Sequence, residues 1–220
     1  FRANDIAIAE SGVVHQIEEV APHADGPHTY VSVKFPLRGN DGRIQYLAGI
    51  STDITDRILR MKVENDIRDA REIQRFLYPR HAPKLSGFDI TGATFPAHQL
   101  CGDYFDFIPL ADGRLLIAVG DASGHGLGPA LHMVETRTYL RARLETTTYF
   151  QDALHPLNDT LRNDLPEGMF VSLFVAVIDP ESRTLDYAGA GHDGLYFPAD
   201  GPSFRLKSTG PVLGLVPELF

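Results

Sequence analysis

A β-ribbon whose register can be counted from its turn sets the strongest constraint on this chain. The stretch "GDYFDFIPLADGRLLIAVGD" (102–121) places two largely apolar runs on either side of Ala111-Asp112-Gly113. With Gly113 in the left-handed conformation, this three-residue loop pairs Leu110 with Arg114. Counting outward sets Phe107 opposite Ile117, Phe105 opposite Val119 and Asp103 opposite Asp121. One face of the ribbon is therefore apolar along most of its length and ends in two facing carboxylates. Directly opposed side chains have Cβ atoms roughly 5 Å apart, and like charges there are destabilising. Folding alone gives no reason for the arrangement, whereas a divalent cation between the acids turns repulsion into ligation. A two-residue turn would instead bring Asp106 to the face of Asp121. Under either register an acid of the first strand meets Asp121.

The residues that follow, "GDASGHGLGPA" (120–130), hold four glycines. If Asp121 holds a metal, a turn with little side chain lets the backbone approach it, and the carbonyl of Ala122 becomes a further oxygen ligand. A site of carboxylates and a carbonyl suits Mg²⁺ or Mn²⁺ rather than zinc. Two such ions bridged by one aspartate activate a water and stabilise in-line attack on phosphorus, which points to metal-assisted hydrolysis of a phosphate ester. The glycines lack the GK[ST] of a nucleotide-binding loop. Ser123 and His125 suggest a serine esterase, but the G-x-S-x-G elbow is missing. His125 has no second His or Cys at zinc-ligand spacing and reads as a loop or helix-start residue. The candidates are thus Asp103 and Asp121 as catalytic acids and metal ligands and Ala122 as a ligand. Asp106, Ser123, Gly124 and His125 are additional ones.

Bulk properties narrow the partners. A net charge of −9 over 220 residues gives nonspecific nucleic-acid binding little electrostatic support. The single cysteine, Cys101, rules out an internal disulfide framework and suits a reducing, cytoplasmic setting. No apolar run approaches the roughly 20 residues needed to cross a bilayer. The chain starts at Phe1 without an initiator Met or a signal peptide, and so reads as a fragment of something longer.

Three stretches organise the chain. Residues 1–55 read as a short helix and three strands, 12–20, 28–38 and 43–54, the last two joined across "GNDG". Residues 56–79 read as a helix: Leu59, Val63, Ile67, Ala70, Ile73 and Leu77 recur at helical spacing until Pro79. That helix either packs on its own domain or pairs two chains as a signalling coiled coil. Residues 80–220 read as a sandwich domain with strands at 89–98, 100–110, 114–121, 169–179, 184–192, 194–200 and 203–210. Its helices span 129–145 and about 150–165, the second carrying Pro156.

In order along the chain, "IQRFLYP", "CGDYFDF", "VGDASGHGLGPAL", "LN", "MFVSLFVAVID", "YAGAGHDG" and "GPVLGL" resemble the SpoIIE- and RsbU-like phosphatases. These are a bacterial branch of the metal-dependent type 2C (PPM) serine/threonine protein phosphatases. Upstream, "VKFPLRGNDGRIQYLAGISTDITDR" resembles the closing strands and DIT exit motif of a PAS domain, a motif that feeds a signalling helix.

The resemblance implies an α+β chain: a partial PAS sheet, a linker helix, then an α-β-β-α sandwich with a two-ion Mn²⁺ or Mg²⁺ site. It implies that Asp121 bridges the ions, that the Ala122 carbonyl serves one, and that Asp103 contributes from the neighbouring strand. Asp106 matches the second acid of the family's first motif, and "AGAGH" (188–192) resembles a motif near the substrate side that also suits a tightly packed turn. Members continue past "LGL" into a "TDG" turn whose aspartate is a ligand. This chain stops at Phe220 before it, so the sandwich is expected to be C-terminally incomplete.

The implied substrate is a phosphorylated partner protein of the anti-sigma-factor antagonist type in a stress-response pathway. The implied assembly is a homodimer through the linker helix. The rival is a sensory scaffold that binds the phosphoprotein without cleaving it.

Overall fold

Turn chemistry shapes the first half of the molecule. The computed structural model describes residues 2–96, 99–147 and 149–218. The chain divides into two compact units, 1–66 and 67–220. In the first, helix α1 (Arg2–Ser11) precedes strands β1 (His15–His23), β2 (Gly26–Arg38) and β3 (Ile44–Asp53), which form an antiparallel sheet in the order β1-β2-β3. The β2–β3 connection closes as its residues demand: Gly42 takes φ +77°, and the Gly39 amide donates to the Arg43 carbonyl. Residues 21–27, with two prolines, lie in the β1–β2 hairpin rather than outside it. The His23–Gly26 pair closes the turn, which sets Pro22 opposite Pro27. In antiparallel alternation those two positions direct their backbone nitrogens away from each other, so neither proline removes a ladder bond.

The hand-off from sheet to helix is pinned by three hydrogen bonds. Asp53 Oδ1 accepts from the Thr55 amide at 2.9 Å, the Thr29 amide donates to Thr55 Oγ1 at 2.8 Å, and the Ile54 amide donates to the Thr29 carbonyl. Helix α2 (Thr55–Leu77) begins there. Its only buried residue among those described is Gln74, 6% exposed, whereas Ile73 of the expected apolar seam is 65% exposed.

The second unit is built on an antiparallel sheet in the order β4-β5-β6-β7: β4 (Asp103–Pro109), β5 (Leu115–Ala122), β6 (Val171–Asp179) and β7 (Thr184–Ala190). Helices α3 (Leu127–Leu144) and α4 (Gln151–Asp164) connect β5 to β6, and α4 continues through Pro156. Alternation decides what they cover. Tyr104, Ile108, Leu116, Ala118, Leu173, Val175 and Val177 point to one face and are buried against Met133, Leu140, Leu154, Leu157 and Leu161. Each fully buried leucine contributes about 1.5–3 kcal/mol of transfer free energy. The opposite face carries Phe105, Phe107, Ile117, Val119 and Asp121.

The expected strands at the flanks are shorter or absent. Residues 89–96 form no strand, and Ala97 and His98 lie outside the described residues. This segment instead lays its backbone on the rings of β4: a Cβ on Gly92 would sit 2.7 Å from Phe105 and 3.0 Å from Phe107. The last hairpin reduces to β8 (Gly194–Tyr196) and β9 (Phe204–Leu206).

Candidate metal centre and family membership

The site is assembled by the hairpin that joins β4 to β5. Gly113 has φ +87°, its amide donates to the Leu110 carbonyl, and the Leu110 amide donates to the Arg114 carbonyl at 2.9 Å. The resulting register pairs Phe107 with Ile117, Phe105 with Val119 and Asp103 with Asp121. The two acids therefore face each other at the open end of the ribbon, on the side of the sheet away from α3 and α4. On its other flank Asp121 pairs with Ser172 of β6, whose hydroxyl shares a 2.9 Å hydrogen bond with His192 Nδ1.

The electrostatics follow from that placement. Burial pushes the Asp121 carboxyl above the usual carboxylate range, the Asp103 charge pushes it further, and His192 opposes both. A group so placed favours a cation that would relieve the repulsion.

Backbone geometry supplies a third oxygen. A Cβ built on Gly102 would lie 2.4 Å from the Ala122 carbonyl oxygen and 3.0 Å from Asp121 Oδ1. The two oxygens thus converge over the one residue of the loop that has no side chain, leaving a cradle that any other residue would fill. Two carboxylates and a carbonyl form a hard-oxygen donor set, so the residues present fit Mg²⁺ or Mn²⁺. Among the described residues, no third carboxylate or imidazole joins the Asp103–Asp121 pair closely enough to complete a three-ligand group.

The strand that carries Asp103 is held from outside the sheet. Tyr78 donates its hydroxyl to the Asp103 carbonyl at 2.6 Å, and Gln74 Nε2 donates to the Cys101 carbonyl at 2.8 Å. The end of α2 therefore grips residues 101–103. Neither side chain was among the sequence candidates, although Gln74 is a polar residue beside the apolar seam of its helix. Ser172 and His192 are further neighbours of the pair. The interruption of the apolar run "FVSLFVAV" by one serine was the available signal for the first.

The additional candidates separate from the pair. Asp106 lies on the opposite face, fully buried, where it accepts from Arg141 Nε at 2.6 Å, Arg141 Nη2 at 2.5 Å, the Tyr104 hydroxyl at 3.2 Å and the Phe107 amide at 2.9 Å. Strand alternation allows Asp103 or Asp106 to reach Asp121, and the register selects Asp103. Ser123 exchanges two hydrogen bonds with Phe170, its hydroxyl accepting from the Phe170 amide at 2.9 Å. That ties the loop to the residue preceding β6 and gives Ser123 a structural role. Gly124 takes φ +96° and Gly126 φ +89°, which turns the chain into α3, and His125 stands exposed between them. The glycines of "AGAGH" serve close approach: a Cβ on Gly191 would come within 2.1 Å of Val212.

Comparison with known proteins decides the family. The family model for stage II sporulation protein E (SpoIIE) matches residues 111–220, half of the chain. The chain belongs to the SpoIIE family. It is 28% identical over 197 residues to protein IcfG of Synechocystis sp., spanning 77% of this chain and 30% of that protein. It is also 28% identical over 163 residues to phosphoserine phosphatase RsbU of Bacillus subtilis, spanning 73% of this chain and 48% of RsbU. The chain thus covers less than half the length of either relative. The SiaA-PP2C domain of Pseudomonas aeruginosa superposes with a TM-score of 0.55 at 21% identity, over 71% of this chain and 64% of that one. SpoIIE-family membership and that superposition give the second unit the fold of a PP2C-type sandwich. No helix among the described residues is long and apolar enough to cross a membrane.

Proposed function

We propose that this SpoIIE-family chain is a metal-dependent phosphoserine/phosphothreonine protein phosphatase. The observation that carries the reading is the cross-strand pairing of Asp103 with Asp121 beside the Ala122 carbonyl. RsbU, which the chain resembles, is named a phosphoserine phosphatase. Asp121, central in the donor set, would hold both ions, with Asp103 and the Ala122 carbonyl on either side. Divalent cations held there supply charge neutralisation on the phosphoryl group and a more acidic nucleophilic water. The chain's own part is to fix the donors: the β4–β5 ladder sets the carboxylate spacing, Gly102 keeps the cradle clear, and Tyr78 and Gln74 hold the strand end in place. Ser172 shares a hydrogen bond with His192, which keeps an imidazole beside the pair. The substrate is a phosphorylated partner protein of the anti-sigma-factor antagonist type, and the protein works in the cytoplasm.

Hydrolysis of a phosphoserine protein is expected to require Mn²⁺ or Mg²⁺. Gly102→Ala is expected to weaken the metal requirement's half-saturation by about 10–100-fold, the range seen when the surroundings of metal ligands are disturbed. Calorimetric titration with Mn²⁺ in parallel separates this reading from a scaffold that binds the phosphoprotein without cleaving it. Binding that weakens to that extent in Gly102→Ala supports the phosphatase, and the absence of Mn²⁺ binding in the unaltered chain overturns it.

We also read residues 1–55 as the closing part of a PAS sensor and 56–79 as its signalling helix. The three-stranded antiparallel sheet and the Asp53-Ile54-Thr55 hand-off support this. Leu59, Met61, Val63, Ile73 and Phe76 stay between 52% and 66% exposed on α2, which favours pairing with a second chain. Sedimentation equilibrium is expected to give a dimer that Leu59→Asp with Val63→Asp converts to monomer. A monomeric unaltered chain would remove the dimer.

A further inference from the structure

The turn between β1 and β2 carries chemistry that the phosphatase reading leaves unused. Its sequence, "HADGPH", spaces two histidines and an aspartate as His23, Asp25 and His28. Because His23 pairs with Gly26 and His28 with Ala21, the two histidines are diagonal neighbours on one face of the hairpin. Their rings stand 4.2 Å apart between centroids, and one ligand atom from each of the three residues lies within 4.8 Å of the others.

We propose that this turn binds a divalent transition-metal ion through His23, Asp25 and His28. Two donors about 2.0–2.1 Å from a tetrahedral ion lie roughly 3.3 Å from each other. Nε2 of His28 and Oδ1 of Asp25 are 3.2 Å apart. The opposite nitrogen of the His28 ring, Nδ1, donates to Asp53 Oδ2 at 2.6 Å. With an ion bound, that bond would keep the ring proton on Nδ1 and leave the Nε2 lone pair to the metal, the carboxylate–histidine arrangement that orients metal-bound imidazoles. Asp53 is itself held by the Thr55 amide, and the Tyr30 hydroxyl meets His23 Nε2 at 3.0 Å, so both rings are anchored from outside the cluster. Two imidazoles and one carboxylate favour Zn²⁺ or a neighbouring late transition ion over Mg²⁺ and Mn²⁺, which sets this site chemically apart from the Asp103–Asp121 centre. A fourth position is left for water or a partner ligand. The ion would tie the hairpin, through His28 and Asp53, to the first turn of α2.

The simpler account is a protonated His28 bridging Asp25 and Asp53, in which His23 has no part. Titration of the chain with Zn²⁺ in the presence of excess Mg²⁺, which occupies the hard-oxygen site, separates the two. One equivalent of Zn²⁺ is expected to bind and to raise the melting temperature. His23→Ala and Asp25→Asn, both on the exposed turn and clear of β3, are each expected to weaken binding at least tenfold without changing the far-ultraviolet circular dichroism. Asp53→Asn is expected to weaken it about 10–100-fold. Co²⁺ in place of Zn²⁺ is expected to give visible absorption bands that His23→Ala abolishes. Failure to take up Zn²⁺, or uptake that survives both His23→Ala and Asp25→Asn, overturns the site. Neither outcome bears on the phosphatase, whose Mn²⁺ dependence is read separately.

Discussion

Asp121→Asn is expected to lower metal-dependent phosphoprotein hydrolysis by about a thousandfold, the upper part of the range for removing one preorganised electrostatic group from a reaction centre. Two independent features of the fold place the loss there. Asp121 faces Asp103 across the ladder, and its Oδ1 converges with the Ala122 carbonyl over Gly102, so it stands at the centre of the donor set. Asparagine keeps the shape but carries no charge to hold a second cation.

The same substitution is expected to leave the metal-free protein at least as stable as before. Burial and the Asp103 charge hold the Asp121 carboxyl above its ordinary value. An acid raised in the folded state binds its proton more tightly there than in the unfolded chain. The metal-free protein therefore gains stability as pH falls through the window between the raised value and the ordinary one, and bears the repulsion at neutral pH. Removing one of two facing like charges relieves up to about 1 kcal/mol. For a chain of this size that corresponds to roughly 2–4 °C in melting temperature. Mn²⁺ should then raise the melting temperature of the unaltered chain and leave that of Asp121→Asn unchanged, because only a ligand that binds the folded state shifts the midpoint. Activity that survives the substitution would remove the mechanism. A variant that melts well below the unaltered chain would show instead that Asp121 is a structural residue.

What could be read from the sequence was what neighbours in the chain decide. Gly113, in a loop of set length, determined the β4–β5 register, and with it the meeting of Asp103 and Asp121 across eighteen positions of sequence. The Asp53-Ile54-Thr55 exit is equally local, since one carboxylate caps the helix that starts two residues later. Contacts that close over long separations were invisible. Gln74 is buried because a loop 27 residues away needs a donor for its Cys101 carbonyl, and no spacing within α2 announces that. Residues 89–96 have strand-like composition but rest on the Phe105 and Phe107 rings, a contact decided by the sheet surface and not by the segment. His23, Asp25 and His28 escaped notice for a related reason. Two prolines made residues 21–27 look like a loop, and only the hairpin brings the ring nitrogens together.

Asp106 shows how the register separates two acids three positions apart, and its replacement is expected to have the largest effect on stability. Its carboxylate is fully buried and accepts from both Nε and Nη2 of Arg141, while Arg137 Nε, buried and without a hydrogen-bond partner among the described residues, lies 3.7 Å away. Asp106→Ala would leave two guanidinium groups without the buried carboxylate they share. Breaking a buried pair by removing one partner costs about 3–5 kcal/mol. Arg141 is 37% exposed and can turn toward water, which favours the lower end, about 3 kcal/mol. That predicts a fall of roughly 6–12 °C in melting temperature. Replacing all three members, Asp106→Leu with Arg141→Met and Arg137→Met, is expected to recover much of the loss, since apolar side chains of similar volume leave no desolvated charge there. A double-mutant cycle on Asp106 and Arg141 would read their coupling directly. The decisive comparison is with Asp103→Asn. Asp106→Asn should melt early yet bind Mn²⁺ normally per folded molecule, whereas Asp103→Asn should melt normally and lose Mn²⁺ affinity. The reverse pattern would mean that the ribbon pairs one residue out of step, with Asp106 and not Asp103 on the face of Asp121.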